Sequence, residues 1–272
     1  MRSKKFVLFL AAAMLLILSA CAQIGTLKPA ASASEPTSFP ATQPPLPSQT
    51  PTPINETVTL TSQETETRND ELNLEIYLLQ PVLSQPENKA EGFNQVVQAL
   101  VQNQVESFIG MIAENLDYLT EMADLGGFNS FYLEYIPTHT EQDIISIKFT
   151  VSTYVVGAAH PASYSSVLNY DLREEKSLSL DELFLPGSDY LGVLSEQSIQ
   201  RIGENGYIEW PDGAAPDPVN YQVWNITPEG VLITFDPYQV APYAAGPQQA
   251  LVPYAALQSM IDPDGPLGRL IP

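Results

Sequence analysis

Cysteine is nearly absent from this sequence of 272 residues, and histidine is almost as rare. Cys21 is the single cysteine, so no disulfide can form within the chain. The two histidines, His139 and His160, are too few for a zinc site that draws its ligands from nitrogen and sulfur. Gly-rich loops of the kind that cradle phosphates are also missing from the sequence. We therefore predict neither a metal nor a cofactor.

Basic residues are scarce as well. The chain has 11 lysines and arginines against 32 aspartates and glutamates, which gives a formal net charge of −21 at pH 7. This balance argues against nucleic acid as a partner, because proteins that bind it need a basic surface. The same acidity would attract a basic protein at long range; solubility alone is the alternative explanation of the charge.

Only one apolar run is long, Phe6–Leu18, and it follows basic residues at positions 2, 4 and 5. The run is shorter than the roughly 20 residues that a membrane-spanning helix needs, and it leads into Leu18-Ser19-Ala20-Cys21. A small residue directly before a cysteine at this place is typical of a lipoprotein. Residues 1–20 are therefore predicted to be a signal peptide and Cys21 the lipidated residue. An ordinary secretory signal with a chance cysteine is the alternative.

Residues 21–57 are predicted to be a disordered tether. Eight prolines alternate there with serine, threonine, alanine and glutamine, and large apolar residues are few. Two acyl chains on Cys21 would anchor the chain stably in a lipid bilayer. We expect it on the extracytoplasmic face of the cell membrane. Residence in an outer membrane stays open, because Ala22 stands where an inner-membrane retention signal has aspartate.

The remaining residues predict an α+β fold, in which antiparallel sheet hairpins pack with one long and one or two shorter helices. The part at 58–160 shows a strand, a long amphipathic helix at 88–119 and a hairpin. The part at 161–272 shows a strand, a helix, a second hairpin and a short final helix. The predicted strands are 72–78, 131–137, 143–156, 164–171, 221–226, 231–235 and 251–252, and the shorter helices are 188–202 and 254–261.

Three residues outside the regular elements are candidate ligand contacts: His160, Tyr238 and Tyr243. His160 follows a strand and a glycine-containing turn and precedes Pro161, a place that suits either a structural histidine or one that contacts a ligand. The tyrosines lie in the irregular stretch 236–246, where they offer flat area and hydroxyl groups for protein or glycan contacts. Alternatively, they fix this stretch onto the sheet.

Catalytic residues are not predicted. Serines at 163, 165 and 166 lie near His160 in sequence, but a serine nucleophile also needs an orienting acid, and no Gly-x-Ser-x-Gly pattern occurs. His139 lies in a predicted hairpin turn, where we expect it to be exposed. A carboxylate pair for glycoside cleavage stays open, because the separation of the two groups in space decides that chemistry.

Three segments resemble a bacterial extracellular domain of unassigned function. They are GAAHP at 157–161, NYDLREEKSLSLDELF at 169–184 and GVLITFDPYQVAPYAAGPQQALVPY at 230–254. This domain occurs in the lysozyme-binding anti-sigma factors of the RsiV type and in the accessory region of PdaC-like peptidoglycan deacetylases. The resemblance covers residues 70–262 and implies a binding or sensing ectodomain without an active site of its own.

These observations together predict a membrane-anchored, non-enzymatic binding or sensing module of the cell envelope. Its expected partner is peptidoglycan or a cationic wall-active protein such as lysozyme, and the acidic charge favours the protein. Two alternatives stay open: a carboxylate-based envelope hydrolase and a structural envelope assembly factor.

Overall fold

The computed structural model describes residues 57–123 and 127–271, and all of these belong to one compact unit. The predicted signal peptide, Cys21 and nearly all of the predicted tether lie outside the described residues. No helix within the described ranges is both long and apolar enough to cross a membrane.

A six-stranded sheet forms the larger layer of the fold. In the order in which they lie side by side, its strands are β1 (Thr59–Asn69), β2 (Leu74–Gln85), β3 (Asn129–His139), β4 (Ile144–Tyr154), β5 (Ala162–Asp171) and β6 (Lys176–Ser177). Neighbouring strands are antiparallel, except that β2 and β3 run parallel. A parallel pair needs a long crossover connection, and the helices between β2 and β3 supply it.

The crossover consists of α1 (Glu87–Glu114) and α2 (Leu116–Ala123). The sequence pattern predicts a single helix at 88–119, and this is wrong at Asn115, whose backbone leaves the helical region at φ −113° and ψ 18°. Its side chain instead donates to the carbonyl of Met111 at 2.8 Å. The apolar stripe of α1 covers one face of the sheet and buries Phe93, Val97, Val101, Phe108 and Ile112.

A second layer follows in the chain. A three-stranded antiparallel sheet contains β7 (Trp224–Ile226), β8 (Gly230–Phe235) and β9 (Gln248–Pro253), and it packs with α3 (Tyr190–Asn205) and the short α4 (Tyr254–Leu257). Its core is separate from the one under α1 and is filled by side chains that include Leu194, Ile202, Ile226, Ile233 and Phe235. The α+β prediction is therefore confirmed.

A buried polar cluster joins the two sheets. Ser146 on β4 is fully buried, and its hydroxyl donates to Asn169 Oδ1 on β5 at 2.6 Å. The same hydroxyl accepts from Asn225 Nδ2 and from the backbone N–H of Ile226 on β7, both at 3.0 Å. Asn169 in turn donates to the carbonyl of Trp224 at 2.9 Å. Buried polar groups are costly unless they are paired, so this cluster sets how β7 lies against β4 and β5.

The structure differs from the sequence predictions mainly at element ends and edges. β1 is absent from the predicted strands, because its sequence TLTSQETETRN is polar on both faces and lies at the exposed edge of the sheet. α3 occupies 190–205 rather than 188–202, and Asp189 is its N-terminal cap. β9 is longer than the predicted 251–252, and α4 is shorter than the predicted 254–261. β4 and β5 lie on either side of residue 160 in the chain, and they pair along ten positions in one sheet.

Candidate functional site

The structure brings His160, Tyr243 and Tyr238 together on the surface. The rings of His160 and Tyr243 stack with their centroids 4.1 Å apart and their planes 25° apart. Tyr238 continues the series, with its ring centroid 5.8 Å from that of Tyr243 and an interplanar angle of 30°. The three side chains, named singly as candidates in the sequence, thus form one continuous row of rings, which we call the ring row.

The carbonyl of Pro161 holds two members of the ring row in place. The Tyr243 hydroxyl donates to this oxygen at 2.7 Å, and His160 Nδ1 lies 2.8 Å from it. A carbonyl oxygen can only accept, so the histidine contact is a hydrogen bond when Nδ1 carries the proton. In the neutral ring this leaves Nε2 as an acceptor. The turn after β4 and the stretch before β9 are therefore connected through a single backbone group.

Tyr238 adopts a backbone conformation that is unusual for its residue type. Its φ is +73°, in the left-handed region where a side chain other than glycine costs about 1–2 kcal/mol. The turn is closed by hydrogen bonds from Tyr238 N to the carbonyl of Ala241 at 2.9 Å and from Gln239 N to that of Asp236 at 3.0 Å. The result is a phenol that is 60% exposed beside the other two rings.

The stretch 236–246, which we call the tyrosine loop, is fixed to the fold at several points. Asp236 Oδ2 accepts from the backbone N–H of Ser165 on β5 at 2.9 Å. The Gln239 amide donates to the carbonyls of Gly213 and Asn220, at 3.0 and 2.9 Å. Val240 is fully buried in the second core. The loop is therefore held in one conformation before any ligand arrives, which lowers the entropic cost of binding.

Lys148 is a residue near the tyrosine loop that the sequence predictions missed. It lies on β4 opposite Val167 of β5 and is half-buried. Burial lowers the pKa of its ammonium group, and the Asp236 carboxylate opposes that shift. The other oxygen of that carboxylate, Oδ1, is buried without a hydrogen-bond partner among the described residues. The sequence did contain a pattern that could have indicated Lys148, because the polar Ser146, Lys148 and Thr150 alternate with apolar residues in β4.

Among residues 57–123 and 127–271, no grouped catalytic side chains lie around the ring row. Within the described residues, no hydrogen bond joins a serine hydroxyl to His160, and the Ser166 hydroxyl instead accepts from Gln104 on α1 at 3.2 Å. No group of three or more His, Cys, Asp or Glu side chains in that part of the chain is placed to hold a metal ion.

His139 was expected in an exposed turn, and this expectation is wrong in detail. It is the last residue of β3 and is partly buried, with Nε2 3.0 Å from the carbonyl of Glu141. Burial lowers the pKa of its imidazole. The reason for the difference is that β3 extends two residues past the predicted end, beyond Pro137. His139 is not part of the ring row.

The ring row offers flat apolar area next to hydrogen-bonding groups. Aromatic rings bind well to flat ligands that are apolar on one face, and tyrosine hydroxyls or a histidine nitrogen can hydrogen-bond the polar edge of such a ligand. A pyranose ring has this form, since its C–H groups define an apolar face and its hydroxyls lie around the rim. The geometry therefore suits a sugar or a flat peptide surface.

Comparison with known proteins finds a family match that covers part of this site. Residues 181–255 match the family described as "Protein of unknown function (DUF3298)". The match contains Tyr238 and Tyr243 and begins after His160. A crystal structure of a member of the same family from Bacteroides fragilis shares the fold, with a TM-score of 0.58 and 16% sequence identity, over 78% of this chain and 97% of that one.

Three curated relatives match parts of the chain. Immunogenic protein MPB64 of Mycobacterium bovis is 34% identical over 113 residues, which is 39% of this chain and 47% of that protein. Peptidoglycan-N-acetylmuramic acid deacetylase PdaC of Bacillus subtilis is 28% identical over 138 residues, 49% of this chain and 29% of that protein. Esterase Rv3036c of Mycobacterium tuberculosis is 29% identical over 105 residues, 38% of this chain and 46% of that protein.

The chain thus spans about half the length, or less, of the curated relatives that it matches. The resemblance to PdaC-like proteins is confirmed, whereas the likeness to RsiV-type anti-sigma factors stays a prediction. The match at 181–255 includes α3, β7, β8 and all of β9, together with the tyrosine loop between the last two strands. Residues 181–255 are therefore similar to the DUF3298 family.

Proposed function

We propose that this chain is a lipid-anchored lipoprotein on the extracytoplasmic side of the membrane. Its DUF3298 domain acts there as a non-enzymatic binding module of the cell envelope. Its ligand is the glycan of peptidoglycan, which the ring row contacts. The observation that carries the proposal is the ring row itself, three aromatic rings held side by side at the surface.

The form of the ring row favours sugar over an extended apolar ligand. The rings are only partly exposed, with Tyr238 at 60%, and polar atoms lie next to them. A sugar can stack on such rings while its hydroxyls reach His160 Nε2 and the Tyr238 phenol. A purely apolar ligand would leave these polar atoms without partners.

The relatives support an envelope setting. The name of PdaC states that it acts on peptidoglycan, and the region shared with this chain amounts to 29% of that protein. A segment of that extent is consistent with an accessory region that holds a protein near its substrate. The signal pattern before Cys21 and the proline-rich tether would place the domain within reach of the cell wall.

Binding to purified peptidoglycan tests the proposal. The full-length protein in detergent is sedimented with sacculi, and the bound fraction is compared for the wild type, Tyr238→Ala and Tyr243→Ala. Each variant should weaken binding about tenfold, since one aromatic contact contributes about 1–1.5 kcal/mol. Tyr118→Ala is the matched control, because Tyr118 on α2 is equally exposed at 59% and lies outside the ring row.

Two further measurements distinguish glycan binding from a purely structural role of the tyrosines and from hydrolysis. Tyr243→Phe keeps the ring and loses the hydrogen bond to Pro161, so it should retain most of the binding if stacking is what matters. Unchanged sedimentation of both alanine variants would mean that the tyrosines only fix the loop to the sheet. Release of soluble sugars or acetate from the sacculi would contradict the non-enzymatic role and favour a hydrolase.

A further inference from the structure

Lys148 lies next to the place where the two sheets meet. It follows Ser146 by two residues along β4, so its side chain is on the same face of the large sheet. The strand register places it opposite Ile136 of β3 and Val167 of β5, which are both apolar. Glu134, the acidic residue of β3, is exposed and lies two residues away from Ile136. The positions directly across from Lys148 therefore supply no counter-ion.

Among the lysines of the described residues, Lys148 is the one that forms no ion pair. The other two pair with glutamates, Lys89 with Glu175 and Lys176 with Glu182. A cation without a paired acid is unexpected in a chain that has 32 acidic residues against 11 basic ones. Lys148 is also half-buried, and withdrawing an ammonium group from water without a partner is costly. An anion from outside the chain would offset that cost.

The Asp236 carboxylate attracts Lys148 without forming an ion pair with it. Burial lowers the pKa of the Lys148 ammonium group, and the Asp236 carboxylate opposes this shift, so the two groups are close enough to interact. The carboxylate is oriented by β5, where the backbone N–H of Ser165 donates to Asp236 Oδ2 at 2.9 Å. A lysine carries three N–H donors, and Lys148 therefore keeps donors for a further partner.

Asp236 connects Lys148 to the ring row. The backbone N–H of Gln239 donates to the carbonyl of Asp236 at 3.0 Å, which closes a tight turn over residues 236–239. The first and last Cα atoms of such a turn lie within about 7 Å of each other. Tyr238 belongs to this turn, and its ring stacks on that of Tyr243. Lys148 is therefore beside one end of the ring row, within reach of a ligand that stacks on the rings.

We propose that Lys148 binds a carboxylate of the ligand that stacks on the ring row, so that the domain takes an acidic sugar in preference to a neutral one. The inference rests on the glycan-binding role and adds the class of sugar to it. An ammonium group contacts a carboxylate as a compact charge, and hydrogen bonds between charged groups are about twice as strong as those between neutral groups. The side chains of Thr150 and Ser165, next to Lys148 on the same face, carry hydroxyl groups that can bind the rest of the sugar.

A pair of disaccharides that differ by a single substituent tests the proposal. N-acetylglucosamine linked to N-acetylmuramic acid carries a free lactyl carboxylate, and chitobiose has the same two rings without it. In equilibrium titrations of the full-length protein in detergent, the wild type should bind the acidic disaccharide about tenfold more tightly than chitobiose. Lys148→Met keeps the length of the side chain without its charge, and its affinity for the acidic disaccharide should fall to about that for chitobiose. Lys148→Arg should retain most of the preference, and added salt should weaken it.

Lys176→Met is the matched control, because it removes the same charge from a lysine that pairs with Glu182 away from the ring row. It should leave the preference within about twofold of the wild type. A wild type that binds both disaccharides equally, or a preference that survives in Lys148→Met, would overturn the proposal. Equal losses for both sugars in Lys148→Met would overturn it too, because the lysine would then only support the fold. Sacculus sedimentation with the ring-row variants decides the glycan role separately, since a ring row that binds sacculi without distinguishing the disaccharides would exclude only the role of Lys148.

Discussion

Ser146 shows how much of this fold depends on single buried polar side chains. Its hydroxyl lies at the place where the two sheets meet and takes part in hydrogen bonds to Asn169, Asn225 and the backbone of Ile226. An alanine at this position would leave three buried polar groups without their partner. Such groups cost about 1–3 kcal/mol each when they are not hydrogen-bonded.

We therefore predict that Ser146→Ala lowers the free energy of unfolding by about 3 kcal/mol or more. Denaturant unfolding followed by circular dichroism measures the change. Ser107→Ala is the control, because Ser107 is an exposed residue of α1 whose hydroxyl only contacts the carbonyl of Asn103 in the preceding turn. A difference between the two variants below about 0.5 kcal/mol would show that Ser146 does not hold the sheets together.

The site residues could be named from the sequence, but their arrangement could not. Tyr238 and Tyr243 were recognisable because they lie among prolines and glycine between two strands, and His160 because it follows a strand and a glycine-containing turn and precedes Pro161. What unites them is the carbonyl of Pro161, a backbone atom that no side-chain pattern reveals. Lys148 was missed for a similar reason, since only the packing of the tyrosine loop shows that Asp236 lies near it.

At the scale of elements, glycines show where backbones approach closely and where they do not. A methyl group on Gly230 of β8 would lie 2.2 Å from the carbonyl oxygen of Val252 on β9. A methyl group on Gly110 of α1 would meet nothing within 4 Å. The same substitution should therefore have opposite effects in the two elements.

We expect Gly110→Ala to raise the free energy of unfolding by about 0.5–1 kcal/mol, because alanine restricts the unfolded chain and favours the helix. Gly230→Ala should lower it by several kcal/mol or prevent folding, since β8 and β9 would have to separate. Thermal unfolding of both variants beside the wild type measures the two shifts. A destabilised Gly110→Ala protein would mean that α1 is packed on its exposed side as well.

Elements with a clear apolar period were predictable from the sequence, and those without one were not. The stripe of α1 and the alternation in β4 follow directly from the side chains that each element buries. β1 has no such period, because only its hydrogen bonds to β2 make it a strand. The end of α1 at Asn115 could not be predicted from the sequence either, because the apolar spacing continues into α2.

At the scale of the whole molecule, lipidation at Cys21 should decide where the acidic domain resides. Cys21→Ser is expected to shift the protein from the membrane fraction to the soluble extracytoplasmic fraction, because two acyl chains are needed for stable anchoring. Cell fractionation with immunodetection measures this, and intact mass of the purified protein shows the added acyl groups. Replacing Ser19 by alanine is the control and should leave the protein in the membrane fraction. A wild-type chain that carries an unmodified thiol would contradict the assignment.

The parallel pairing of β2 with β3 has a consequence for the order in which the sheet assembles. Leu74 pairs with Asn129, far along the chain, whereas β3, β4 and β5 pair with their immediate neighbours in sequence. Closing a long loop costs chain entropy before its contacts form, so the β1–β2 hairpin and the β3–β5 meander can each form early, and β2 joins β3 only once α1 has docked. The edge at which β2 meets β3 is therefore completed only in the last stage of folding.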